Sequence, residues 1–140
     1  MEDSGLLQLE ELLFPVVEVR TNGSHDPAGE RAGTLLQYGQ QLQKIEGQPG
    51  RYGLMVSVRS DNERSKNPPY AFAIEAHAVY SIQGGTLDEQ AQAAKILANG
   101  VVIVMGAIRE QLASITARGP WGRFLINAVP LQDPTQIASI

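Results

Sequence analysis

Cysteine is absent from this 140-residue chain. That excludes disulfides, a thiolate nucleophile and any Cys-ligated metal, and it fits a reducing compartment. Histidine is nearly as scarce, with only His25 and His77, so a His-based metal centre lacks ligands. A surplus of positive charge is also missing. Eleven Lys and Arg stand against fifteen Asp and Glu, for a net charge of −4. Binding to a phosphate backbone needs the opposite balance, which argues against a nucleic-acid partner. No apolar run reaches the ~20 residues that span a bilayer. The longest, Val101–Met105, resumes after Gly106 only through Ala107 and Ile108. The start, Met1-Glu2-Asp3-Ser4-Gly5, is acidic where a secretion signal is basic. These absences predict a cytoplasmic protein with no membrane insertion.

Motifs of chemistry are missing as well. No serine sits in a Gly-x-Ser-x-Gly elbow, and Gly47–Gly53 holds no Gly-Lys-Ser/Thr for a phosphate. Asn22-Gly23-Ser24 matches a glycosylation sequon but reads as a turn, and Gly84-Gly85-Thr86 reads as another. Glu75 and His77 stand two positions apart, a spacing that suits an acid/base pair or two metal ligands. The alternation of the strand places them on a solvated outer face instead. With Arg109 as the sole further titratable candidate, an enzyme is the least favoured class, and no cofactor or metal is expected.

What is present is ordinary globular composition, 43% hydrophobic and 19% charged. One domain over residues 1–140 is expected to bury roughly 68% of its unfolded surface. Four strands are predicted, over Leu6–Arg20 with a kink at Pro15, Thr34–Ile45, Arg51–Ser60 and Tyr70–Ile82. In the last, Phe72, Ile74, Ala76, Ala78, Tyr80 and Ile82 form one face and Ala71, Ala73, Glu75, His77 and Val79 the other. Thr86 and Glu89 predict a capping box that opens a helix over Leu87–Ala98. Asn99-Gly100 then interrupts before a second helix, Val101–Arg118, stopped by Gly119-Pro120. The expected fold is α+β, an antiparallel four-stranded meander followed by two helices packed on one side. The second helix carries a stripe of Val101, Val104, Met105, Ile108, Leu112 and Ile115, with Val102 and Ile103 off it. A helix apolar nearly all round is buried on several sides, so the stripe is expected to join copies of the chain.

Several of these segments, read together, resemble the SecB family of protein-export chaperones. The residues that carry the resemblance are Ala71-Phe72-Ala73-Ile74-Glu75-Ala76, Tyr80-Ser81-Ile82 with Gly84, Ala107-Ile108-Arg109-Glu110, Thr116-Ala117-Arg118-Gly119 and Leu125-Ile126-Asn127-Ala128-Val129-Pro130. Upstream, Tyr52, Leu54, Val56 and Val58 match more loosely. The resemblance implies a dimer of dimers that holds unfolded or precursor polypeptides in apolar grooves and passes them to the SecA motor ATPase. It also implies that Glu75 docks that motor, although the first strand presents Val16 and Arg20 where further acids belong. A related chaperone with another dedicated client, such as an antitoxin, and a non-chaperone protein-binding module are the alternatives. Leu36, Tyr38, Leu42, Trp121 and Phe124, with Met105, are the candidates for groove lining. Clients without a fixed sequence are held by apolar burial, at about 25 cal/mol per Å2.

Overall fold

Alternation of buried and more open residues, broken only near the end at Tyr80 and Ser81, makes Tyr70–Gln83 one long strand at the centre of the molecule. The computed structural model describes residues 5–30 and 33–127, and the backbone of 137–139. Residues 1–4 of the acidic start and the Ala128-Val129-Pro130 end of the family motif lie outside them. The elements run β1 (Leu6–Thr21), β2 (Leu36–Lys44), β3 (Arg51–Ser60), β4 (Tyr70–Gln83), α1 (Glu89–Lys95), a π-helical turn (Ile96–Gly100), α2 (Val101–Thr116) and β5 (Ile137–Ser139).

The sheet order is β1-β4-β3-β2-β5. The fold class is the expected one: an antiparallel four-stranded sheet with helix packed against it. Only β2, β3 and β4 form a meander, however, and β1 lies beyond β4, antiparallel to it. β1 and β2 are therefore not hairpin neighbours, and the order of the four antiparallel strands is that of a Greek key. Length explains the choice of neighbour, since the 16 residues of β1 find their match in the 14 of β4. Pro15 has no N–H to give a ladder. The register shifts between Leu13 and Val16, the expected kink, and again between Leu9 and Glu11. β5, which the sequence does not announce, pairs in parallel with β2 at Leu42–Lys44.

The core lies between the sheet and the helical layer. Tyr52, Leu54, Val56 and Val58 from β3 meet Phe72, Ile74, Ala76, Ala78 and Tyr80 from β4. Ala93, Ile96, Leu97, Val101, Val104, Met105, Ile108 and Leu112 cover them. Three tyrosines peg the layers together. Tyr52 Oη donates to Gln92 Oε1 at 2.9 Å, Tyr80 Oη to the Gly100 carbonyl at 2.8 Å and Tyr70 Oη to the Gly122 carbonyl at 2.8 Å.

The helical layer departs from expectation in two places. Asp88, not Thr86, is the N-cap, and its carboxylate accepts from the Ala91 N–H at 2.8 Å. An aspartate caps as well as a threonine, and the chain is still extended at Asp88. Asn99-Gly100 does not break the helix, which is continuous over Glu89–Thr116 with one wide turn inside it. Asn99 Nδ2 donates to the Lys95 carbonyl at 2.9 Å across that turn. Gly100 serves close approach instead of termination: a Cβ there would lie 3.0 Å from the Tyr80 ring.

Candidate functional site

Apolar groups left in water are the material of this site, so burial sorts the expected residues. Leu42 is 0% exposed, facing Leu54 across β2 and β3, and belongs to the core instead of to a groove. Leu36 and Tyr38 sit on the same face of β2, half-buried and packed against the core edge. Burial raises the Tyr38 pKa above its ordinary value. Trp121 and Phe124 come together beyond the end of α2, and the Phe124 ring lies 5.4 Å from that of Phe72. The expected lining therefore falls into two short apolar stretches, one on β2 and one on the segment after α2.

The stripe on α2 is corrected more sharply. Val101, Val104, Ile108 and Leu112 are 0% exposed, and Met105 is 3% exposed. A four-stranded sheet needs one apolar helix face to close it, and this stripe is that face. Of the six residues expected at an interface, only Ile115 shows substantial surface, 40%. The surface α2 offers instead is Val102 and Ile103, beside the unobstructed Gly106. Met105, named for the groove too, is core for the same reason.

Glu75 stands on the uncovered face of the sheet, in register with Val16 on β1 and Ser57 on β3. Its carboxylate is 3.4 Å from His77 Nε2. Arg109 lies across the sheet from this pair, on the helical side, where its guanidinium donates to the Ile126 carbonyl at 3.5 Å. The three titratable groups of the enzyme reading therefore do not converge. Among the described residues no cluster of three His, Asp or Glu side chains is arranged to hold a metal.

Among the described residues the uncovered face carries open depressions. One of about 530 Å3 runs between Arg20 and Arg59 over Ala71 and Ala73, and one of about 460 Å3 lies around Met55, His77 and Val79. A smaller cavity of about 200 Å3 lies on the other side, beside Trp121 and Phe124. It includes a residue that sequence reasoning passed over. His25, in the β1–β2 crossover, is 6% exposed and its ring lies 5.1 Å from that of Trp121. Trp121 Nε1 donates to the Asn22 carbonyl at 2.9 Å, so the crossover and the post-helix segment form one wall. A histidine in a cluster of turn formers gives no periodic signal of burial. Only the long-range contacts with Asn67 and Trp121 show it.

No family model matches the chain, and no curated protein matches it in sequence. Solved structures do resemble it. The SecB-like chaperone Rv1957 of Mycobacterium tuberculosis, in complex with a ChAD peptide from the Rv1956 HigA1 antitoxin, superposes with a TM-score of 0.65 at 12% identity. The match covers 91% of this chain and 93% of that one. A protein of unknown function from Streptococcus agalactiae superposes with a TM-score of 0.55 at 8% identity, over 89% and 98% of the two chains. The fold is thus one that a SecB-like chaperone uses.

Proposed function

We propose that this protein is an ATP-independent holdase, a SecB-like chaperone that binds non-native polypeptide along its apolar surface. The observation that carries the reading is the amount of grease left outside a core that is already filled. Val102, Ile103, Ile115 and Leu125, on α2 or the segment after it, are each at least 40% exposed, and Leu36, Tyr38, Trp121 and Phe124 are half-buried. Apolar patches of this kind mark binding surfaces. Several hundred Å2 buried at about 25 cal/mol per Å2 gives useful affinity after the cost of ordering a flexible client. The SecB-like fold, in a neighbour whose structure holds an antitoxin peptide, supports the same reading.

Copies of the chain assemble through the outer face of α2, where Val102 and Ile103 stand in water and Gly106 lets a second backbone come close. The protein works in the cytoplasm, a reducing compartment that a cysteine-free chain fits. A dedicated client is favoured over general hand-off to the SecA motor. Glu75 is surrounded by Val16, Arg59 and, further along, Arg20, so an acidic docking surface is thin. The test is light scattering of an unfolding client protein with and without stoichiometric amounts of this chain. Suppressed aggregation without nucleotide is expected, and unchanged aggregation would count decisively against the proposal.

A further inference from the structure

We infer that the uncovered face of the sheet is a contact between two copies of this chain, stacked face to face about a two-fold axis. This contact is separate from client binding and from the contact through α2. Its first ground is Gly53, in the middle of the central strand β3. Glycine weakens a strand interior and often marks a place where another group comes close. Nothing inside the chain asks for it here, since a Cβ at Gly53 would have no neighbour nearer than the Gln43 carbonyl at 4.0 Å. The missing side chain instead floors the depression of about 460 Å3, beside Val79 and Met55.

The second ground is charge. Among the described residues the ion pairs are Lys44–Glu89, Arg51–Glu10 and Glu75–His77, so Glu18 and Arg59 are exposed charges without a partner. Glu18 is in register with Ala73 on β4, and Ala73 with Arg59 on β3. Glu75 follows Ala73 by two residues, on the same face. The small Ala73 is thus a saddle between two carboxylates, and it lines depressions of about 530 and 270 Å3.

One rotation satisfies both features. Let the axis lie in the face, parallel to the strands and midway between β3 and β4. It then sets β4 of one copy over β3 of the other, row by row. By the observed register, Val79 comes over the partner's Gly53, and the partner's Arg59 comes over Ala73, between Glu18 and Glu75. Each match occurs twice, as an isologous contact requires. Sheets stacked in this way lie about 10 Å apart with their side chains interdigitated. A second copy is the partner this match selects, because knob and hole, cation and carboxylates are carried by the same face. Gln37, Gln41 and Gln43 make much of that face polar, and exposed charges are screened by salt. The contact is therefore the weaker of the two. It forms in concentrated protein at low salt, and it is open at the dilution where sedimentation reads the α2 contact alone.

The test is sedimentation equilibrium over a range of protein and salt concentrations. A doubling of mass that strengthens with protein and weakens with salt is expected, whether the unit that doubles is one chain or an α2 pair. Arg59→Glu should raise the dissociation constant of that step about tenfold or more. Adding Glu18→Arg and Glu75→Arg to it should restore the doubling. Gly53→Val fills the hole with a residue that strands favour, so it should abolish the doubling while the thermal midpoint holds or rises. Circular dichroism checks that each variant is folded. No doubling in the native protein overturns the contact. So does a doubling that either Arg59→Glu or Gly53→Val leaves intact, or a charge exchange that fails to restore it. None of these results touches the holdase reading, which falls only with its own scattering assay.

Discussion

Tyr80 reaches from the buried face of β4 to the Gly100 carbonyl, and burial pushes its pKa from 10.0 up to about 12. The folded state therefore holds this proton more tightly than the unfolded chain does. The stability it contributes is fully present below the unfolded value of 10 and is lost as pH rises through about 12, on the order of 2–3 kcal/mol. Burial, with Glu89 and Asp88 beside it, raises Tyr52 in the same direction and adds to the slope. Tyr80→Phe is expected to cost about 0.5–1.5 kcal/mol at neutral pH, through the lost hydrogen bond to the Gly100 carbonyl, and to flatten the alkaline loss. Urea midpoints at neutral pH and at a pH between the two values measure both effects. Gly100→Ala places a methyl 3.0 Å from the same ring and 3.2 Å from Ile96 Cγ2. A loss of about 1–3 kcal/mol is expected in thermal unfolding. Neither role is legible in the sequence, where Asn99-Gly100 looks like a helix stop. The local pair is seen there, and the tyrosine that needs the missing side chain is not.

For the helix as an element, two aspartates separate packing from assembly. Ile108→Asp buries an unpaired carboxylate under the sheet and is expected to cost several kcal/mol, giving insoluble or unfolded protein. Val102→Asp lies on the outer face, 52% exposed in the subunit, and is expected to leave the circular dichroism unchanged while sedimentation falls to the monomer. An oligomer that survives it removes Val102 from the interface. The periodicity of Val101, Val104, Ile108 and Leu112 was legible, as was its apolar weight. Which side of an all-round apolar helix meets its own sheet and which meets a neighbour is a tertiary question that periodicity does not answer. The strands show the same limit. Alternation located all four of them, yet nothing in β1 states that its partner is β4 and not β2. Leu42 likewise looked like groove because the pattern gives its face and not what covers it.

At the scale of the whole molecule, one helical layer covers one face of the sheet, and among the described residues nothing covers the other. Strands first and helix last were enough for the fold class. The proposed binding surface was harder, because its half-buried members come from β2 and the post-helix segment, far apart in the chain. The central expectation here is that stoichiometric amounts of the protein suppress client aggregation in light scattering with no nucleotide present.

The wide turn at Ile96–Gly100 has a consequence for how the chain tolerates change in length. Such a turn takes up one surplus residue without altering the direction in which the flanking helix points. Deleting a residue such as Ala98 would heal the spiral and leave Ala93 and Val104 aimed at the strands as before. The same excision within α2 would swivel everything beyond it by about 100°. Shortened variants of this chain should therefore survive a missing codon at this bulge and fail when the loss falls a few turns later.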